Sequence, residues 1–516
     1  MLFAELAAAS AASAATSKRS EKVAAFAHVF SRCWPDEVPA AVAFATGETL
    51  VGRLGVGWAT LRDVRPAPAA EATLTVADVD RVVTELAGVS GAGSSARRRD
   101  LLHDLLARAT EAEQRMLTAI IGGELRQGAL AGVVTASVAA ACRVPVAAVR
   151  RGAMLTGSLP VAAGIAVVGG AEALDRIGLT PATPVQPMLA STSTDVVAAM
   201  SDVGPASVEW KLDGARVQAH RAGGVVRLFT RNLNDVTDRL SGVVEVVSNL
   251  PGGDLVLDGE VLGVDDAGAP RRFQDTMGDF GADATGDLAG RGSGLQAFFF
   301  DVLHADVSVI DRPLGERRAL LADLVPLASR LPSIETDTAA TAQEFLDRSI
   351  AAGHEGVMVK AIDSPYDAGR RGGAWRKVKP VHTLDLVVIA VEWGHGRRQG
   401  WLSNLHLAAR GGDGSFVMVG KTFKGLTDEL LRWQTERFLG LEIGRGTGSD
   451  GHVVHVRPEQ VVEVAVDGVQ VSTRYPGGVA LRFARVRRYR DDRSAADADT
   501  IEHVQRLLAR PGPRTD

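Results

Sequence analysis

Cysteine is nearly absent from the 516 residues, with only Cys33 and Cys142 present. Two thiols cannot build a disulfide framework or a four-cysteine zinc site, and so low a count fits a reducing cytosol. A long apolar run is missing too. The most apolar stretch, Leu159 to Ala171, is interrupted by Gly164, Gly169 and Gly170 and is shorter than the roughly twenty residues a bilayer needs. The alanine-rich start is broken by Glu5 and has no basic region ahead of it, so it reads as a first helix and not as a signal peptide. Excess positive charge is the third absence. A net charge of −5 argues against indiscriminate binding of nucleic acid. Any such contact must come from local basic patches such as Arg97-Arg98-Arg99 and the run Arg482, Arg485, Arg487, Arg488, Arg490.

What remains is ordinary in bulk, at 46% hydrophobic and 23% charged, and long enough for about three domains with their own cores. The informative stretch is Glu209-Trp210-Lys211-Leu212-Asp213-Gly214-Ala215-Arg216. Val208, Trp210 and Leu212 alternate with Glu209, Lys211 and Asp213, which is the period of a strand with one buried face and one carrying charges of both signs. Ala215 to Arg221, the turn Gly223-Gly224 and Val225 to Arg231 follow as a hairpin. Leu255 to Val264 is a strand broken at Asp258-Gly259 that presents Glu260, and Ala297 to Leu303, with Phe298, Phe299 and Phe300, is a buried strand. Glu355-Gly356 turns into a strand ending at Lys360, and Trp375, Lys377 and Lys379 share one strand face. Cations crowded on one face repel unless an anion sits between them, and a triphosphate would serve; a lysine-guarded edge strand is the plainer reading.

From Met1 to about Arg176 the pattern is mostly helical. Leu101, Leu102, Leu105 and Leu106 form an apolar face, and Thr110 with Glu113 is a capping-box start for a helix carrying Met116, Leu117, Ile120 and Ile121. Glycines bracket Arg126 and Gln127 in Gly122 to Gly128, a pattern suited to close approach to phosphates without reading sequence. Gly52 to Gly57 lacks the order of a dinucleotide loop and reads as a turn. The proline-bearing segment Thr180 to Gln186 is a linker, and beyond Val381 short strands alternate with glycine-rich turns, which suits a small β-barrel.

Lys211-Leu212-Asp213-Gly214-Ala215-Arg216 resembles the K-x-D-G-x-R signature of the covalent nucleotidyltransferases, the superfamily of ATP-dependent DNA ligases, RNA ligases and mRNA capping enzymes. Asp258-Gly259-Glu260, Phe300-Asp301, Glu355 to Lys360 and Trp375 to Lys379 are similar to its remaining motifs in order, and Arg488-Tyr489-Arg490-Asp491-Asp492-Arg493 resembles its C-terminal motif. Ala484 stands there in place of the usual proline, and Arg493 in place of lysine. The segment around Arg126 and Gly128 is similar to the DNA-binding domain of the larger ATP-dependent DNA ligases, such as eukaryotic ligase I and the stand-alone bacterial and archaeal enzymes. No polymerase, nuclease or primase segment accompanies it.

The resemblance implies a multidomain α+β protein: a helical DNA-binding domain over 1–180, an α/β, ATP-grasp-like adenylyltransferase domain over 185–380, an OB-fold β-barrel over 381–500 and a tail over 501–516. Lys211 is implied to attack the α-phosphate of ATP and carry AMP. Nearby Lys377, Lys379, Arg216 and magnesium would favour its neutral amine and stabilise charge on the phosphates. Glu209 is implied to meet the adenine amino group, Phe300 to stack on the base, and Arg216 and Arg231 to reach ribose and phosphate. Glu260, Trp375, Arg376, Lys377 and Lys379 complete the nucleotide site, with Glu260 and Glu355 as oxygen ligands for Mg²⁺ or Mn²⁺. Arg488, Arg490, Asp492 and Arg493 would face pyrophosphate in the first step and swing away when DNA is bound. The expected partner is nicked duplex DNA, met by a cytoplasmic, nucleoid-associated monomer that closes around it in replication, repair or recombination. RNA ligases and capping enzymes are not expected to carry the helical segment, an NAD-dependent ligase usually brings a four-cysteine zinc module, and a non-catalytic scaffold would have lost Lys211, Glu260 or Glu355.

Overall fold

The computed structural model describes residues 1–52, 54–125, 131–265, 270–271, 294–367, 371–395 and 398–508. Two compact units emerge: Met1–Ser191 with Asp213–Pro332 and Lys360–Trp375, and Thr192–Leu212 with Ser333–Val359 and Arg376–Asp516.

In the first unit the described elements from Phe3 to Asp175 are helices. Their starts follow the capping chemistry of the sequence. Glu113 accepts from both the backbone N–H and the hydroxyl of Thr110 at 2.8 Å, opening helix Glu111–Ile121, and Thr75 with Asp78 does the same for Val76–Gly88. The leucines of Ser94–Ala107 and Met116, Leu117 and Ile120 enter one core. Helix Leu159–Asp175 breaks at Gly170, whose φ of +61° no branched residue adopts cheaply. Among the described residues no single helix is long and apolar enough to cross a membrane.

The strands are β1 (Leu189–Thr192), β2 (Ala206–Trp210), β3 (Ala215–Ala222), β4 (Val225–Thr230), β5 (Leu255–Gly263), β6 (Leu295–Ala305), β7 (Val307–Ser308), β8 (Ser333–Thr336), β9 (Val357–Ala361), β10 (Arg371–Val378), β11 (His382–Trp393), β12 (Leu402–Arg410), β13 (Phe416–Thr422), β14 (Glu442–Arg445), β15 (Val453–Val456), β16 (Val461–Val466), β17 (Gly468–Val471), β18 (Val479–Arg482) and β19 (Arg485–Tyr489). Within the first unit β4-β3-β5-β6-β7 form one antiparallel sheet. Val217, Ala219, Leu257, Val261 and Phe299 pack against Val243, Val247 and Leu321 from two covering helices. Arg216, Gln218, Asp258 and Glu260 pair in register across β3 and β5. Burying polar groups is costly unless they are bonded, and the Gln218 amide meets that demand by bonding both backbone groups of Val185. Arg221, 5% exposed, donates to the carbonyls of Val247, Ser248, Leu250, Pro251, Gly252 and Gly253. These are the orphan acceptors at the end of helix Ser241–Ser248 and its following turn.

Another sheet runs β1-β10-β9-β2-β8. In the second unit, Val196, Ala199, Val208, Phe345, Leu346, Val357 and Val359 close its core. A seven-stranded sheet follows. Its order is β13-β12-β11-β15-β14, with β16 pairing β11 and β19. Its strands bury Leu405, Leu407, Val464 and Val486 with Leu431 and Phe438 of helix Asp428–Gly440. The open edges are tied by the Val486 N–H on the Lys424 carbonyl at 3.0 Å and the Thr422 hydroxyl on the Ala484 carbonyl at 2.5 Å. This is the expected small OB-fold-type sheet, and among the described residues its strand pairs do not close a full ring. Helix Ile501–Arg506, expected as part of a tail, inserts Ile501 and Val504 into this same core.

On the other face of that sheet, Glu392 accepts from Lys421, His406 and Asn404 at 2.5, 2.8 and 2.6 Å. Burial alone would raise its carboxyl, but these donors hold it at about 2, and burial holds His406 below its ordinary value. Both shifts act with the same sign. Glu392 stabilises fully above the unfolded carboxyl value of about 4.3 and loses that contribution as pH falls toward its folded value. His406 costs stability once its unfolded form binds protons, below about pH 6.5.

Two outcomes are expected. Thermal unfolding followed from pH 7 to pH 3 shows falling stability on acidification, and Glu392→Gln flattens the acidic limb. Arg221→Met strands several buried carbonyls and lowers stability by about 3 kcal/mol, read as a drop in the denaturant midpoint.

Candidate active site

In the second unit, β2 delivers Lys211 to the turn that carries Glu355. The two residues are locked by reciprocal backbone bonds: the Lys211 N–H donates to the Gly356 carbonyl at 2.8 Å, and the Glu355 N–H to the Lys211 carbonyl at 3.0 Å. Their side chains then meet, with Lys211 Nζ 2.5 Å from Glu355 Oε2. Lys379, just past β10, reaches the same oxygen at 2.7 Å, and an Arg482 Nη lies 3.9 Å from Glu355 Oε1. Burial would raise the Glu355 carboxyl, but Lys211 and Lys379 hold it at about 2, so it is ionised. Gly356 makes the turn possible. At its φ of +143°, an added Cβ would lie 2.2 Å from the Val378 carbonyl oxygen.

Glu209, also on β2, is fully buried and accepts from the Ser207 hydroxyl at 3.2 Å. On β10, Lys377 is half-buried and its carbonyl accepts from the Ser193 N–H. Its neighbour Arg376 is instead engaged by Asp202, at 3.1 Å.

In the first unit, Arg216 is the centre of a second array. Its guanidinium grips the Asp258 carboxylate in a fork at 3.0 and 2.6 Å, donates to the Met188 carbonyl at 2.6 Å and to the Tyr366 hydroxyl at 3.1 Å. Tyr366 in turn donates to Asp258 at 2.7 Å and accepts from the Met188 N–H at 3.0 Å. Four of the five guanidinium N–H bonds are thus committed among the described residues, so Arg216 keeps one for a ligand. The motif's Gly214 is required for this close packing, since a Cβ there would stand 2.3 Å from the Val261 carbonyl oxygen.

Phe300, Tyr366 and Trp375 form an aromatic corner, with edge-to-face centroid separations of 6.2 and 5.8 Å. Lys360 Nζ lies 4.1 Å from the centroids of both Phe300 and Trp375, a cation–π arrangement. Glu260 stands opposite Arg216 in the β3–β5 register. Arg231, at the turn after β4, is exposed, and among the described residues no bond joins it to the other site residues.

The C-terminal motif is engaged within its own sheet. Arg490 forks onto Asp492 at 2.8 and 2.7 Å and reaches Asp385 at 3.0 Å. Arg493 meets Asp385 at 2.7 Å, and Arg488 meets Glu463 at 2.9 Å. Arg126 and Gly128 lie outside the described residues.

Sequence reasoning missed Tyr366, Asp258 as the partner of Arg216, Lys360 as the cation in the aromatic corner, and Asp385. Asp258 and Lys360 stood inside quoted motifs, but only the strand register shows what they touch. Tyr366 and Asp385 left no local signal.

Among the described residues no group of three or more His, Cys, Asp or Glu is placed to hold a metal ion. The ionised Glu355 oxygens are hard donors that suit Mg²⁺ or Mn²⁺, and an ion held by one or two carboxylates with the rest of its shell from phosphates and water is the usual magnesium arrangement.

A lysine and a second ammonium on one ionised carboxylate, with a separate aromatic and arginine array, is equipment for handling a nucleotide and its phosphates. Sequence comparison agrees. The family descriptions "ATP dependent DNA ligase domain", "ATP dependent DNA ligase C terminal region" and "DNA ligase N terminus" match residues 187–379, 398–493 and 51–139. A probable DNA ligase of Mycolicibacterium gilvum is 53% identical, covering 99% of this chain and 100% of the relative. One from Saccharopolyspora erythraea is 52% identical over 98% of each. The fold resembles the solved structure titled Pmar-Lig_Pre, with a TM-score of 0.63 and 18% identity over 94% of this chain and 99% of that one. The chain belongs to the ATP-dependent DNA ligase family.

Gly356→Ala is expected to displace the Glu355 turn and slow the uptake of AMP from labelled ATP on the order of 10²-fold. An unchanged rate in a single-turnover assay would show that the close approach to Val378 does not hold this geometry.

Proposed function

We propose that the protein seals nicks in duplex DNA in three transfers of one AMP group, with Lys211 as the covalent carrier. The observation that carries this reading is the Lys211–Glu355–Lys379 cluster, which fixes an amine beside an ionised carboxylate and a second cation. In the first transfer the Lys211 nitrogen bonds to the α-phosphorus of ATP, the bond to pyrophosphate breaks, and the amine loses a proton. Attack needs the nitrogen lone pair, so the contact with Glu355 must give way as phosphate arrives. In the second, a 5′-phosphate oxygen of the nick takes the AMP and frees the lysine. In the third, the 3′-hydroxyl attacks that phosphate and AMP leaves.

Phe300 offers a ring for the adenine and Glu209 a carboxylate for its amino group. Arg216 brings its one remaining N–H to the sugar, with Arg231 reaching ribose or phosphate from its exposed turn. Lys377 and Lys379 counter the charge that builds on the phosphate oxygens, and Arg376, now paired with Asp202, completes the nucleotide site. Glu355 and Glu260 would hold a divalent cation, which when bound neutralises phosphate charge. Arg488, Arg490, Asp492 and Arg493 would meet pyrophosphate only by exchanging their present carboxylate partners. Arg126 and Gly128 supply contacts to the DNA backbone, and the protein acts as a monomer on nucleoid DNA in the cytoplasm.

The test uses magnesium and ATP labelled at the α-phosphate, followed by singly nicked duplex DNA, with Lys211→Ala alongside. Label on the wild type alone, discharged as the nick closes, is expected. A protein that takes no label refutes the reading, and label discharged only on nicked RNA would make it an RNA ligase.

A further inference from the structure

Trp210 and His354 immediately precede Lys211 and Glu355, and the sequence gives neither a role. The structure brings them together in the second unit, with ring centroids 4.8 Å apart and planes inclined at 39°. The indole also leans on Phe345 at 6.1 Å. Its Nε1–H has no acceptor among the described residues, so the ring is held by apolar and ring contacts and not by a hydrogen bond.

We infer that the Trp210–His354 contact sets the spacing of Lys211 and Glu355, making both rings positioning residues for transfer of AMP to Lys211. The inference rests on Lys211 being the nucleophile.

Three constraints already act on the Glu355 turn. The reciprocal backbone bonds join it to Lys211, the buried Ser349 hydroxyl donates to the Gly356 carbonyl at 2.7 Å, and Gly356 abuts the Val378 carbonyl. These act on the backbone of Glu355 and Gly356. The residue before Glu355, His354, is tied by a backbone bond to the Ser349 carbonyl at 3.0 Å and by the Trp210 ring. Trp210 and His354 are covalent neighbours of Lys211 and Glu355, so a contact between their rings couples the two backbones one residue before the amine and the carboxylate.

Val208, Phe345, Leu346, Val357 and Val359 close the local core with Trp210 packed against it, and His354 meets that core through the Trp210 ring. A coupling of this kind changes the geometry of attack and leaves the nucleotide's own contacts in place. Its removal should therefore lower the maximal rate while sparing ATP affinity, which is the kinetic mark of an interaction realised in the transition state.

The experiment is single-turnover uptake of AMP by the full chain over a series of ATP concentrations, for the wild type, Trp210→Leu, His354→Leu, Trp210→Phe and His354→Phe. Leucine fills space without an aromatic face; phenylalanine restores one. The leucine variants should lose about 10- to 100-fold in maximal rate, as expected for misplacement of roughly 1 Å. Their half-saturating ATP should stay within about 3-fold of wild type with most molecules still labelled, and the phenylalanine variants should recover most of the rate. Leucine variants with the wild-type rate overturn the inference. So does a fall in the fraction labelled at an unchanged rate, which reports lost folded protein, and so does failure of phenylalanine to rescue. A wild type that takes no label, or a Lys211→Ala variant that does, contradicts the nucleophile assignment beneath it.

Discussion

Everything around Lys211 depends on one carboxylate. Glu355 is largely buried, and a charge taken out of water is tolerated only when it is paired and bonded. Lys211 and Lys379 both reach one of its oxygens, and Arg482 approaches the other. Because Lys211 and Lys379 come from separate stretches of chain, the pairing also fixes where the end of β2, the Glu355 turn and the end of β10 can lie. An anion shared by several cations is a placeholder for a more highly charged one. A nucleotide's phosphates can take over the cations, and a divalent cation can take over the carboxylate, without a buried charge ever standing alone.

The first unit solves the opposite problem, holding a cation still. Among the described residues Arg216 commits all but one of its N–H groups, through Asp258, Tyr366 and the Met188 carbonyl. Rigidity of this kind is what a binding group needs if its last donor is to select a ligand by position. Met188 is bonded through both its N–H and its carbonyl. The segment entering the strand-rich region is thereby tied to the arginine of the lysine motif. In the C-terminal sheet, Arg490 and Arg493 share the carboxylate of Asp385.

Much of this was legible because the signals were local. Thr110 and Glu113 announced a helix start, and the leucines of Ser94–Ala107 announced its buried face. The alternation around Lys211 identified β2, although Glu209 is as buried as Val208 because the strand is covered on both faces. The motif glycines were recognised by pattern, while the reason for them, a carbonyl within about van der Waals contact of where a Cβ would sit, is a tertiary fact. The partner of Arg376 was not legible either, since Asp202 lies far from it in sequence and only the fold brings the two to 3.1 Å. Tyr366 sits in no regular element, and the opposite number of Lys360 is an aromatic corner assembled from β6 and β10, so periodicity carried no trace of either.

Lys211, and none of the other lysines, is the residue we propose to carry the nucleotide. The most direct test is to incubate the protein with ATP and magnesium, digest it, and locate the AMP-bearing peptide by mass spectrometry. The added mass is expected on the peptide containing Lys211 and on no peptide containing Lys360, Lys377 or Lys379. Modification at any of those three, with Lys211 unmodified, would contradict the proposal.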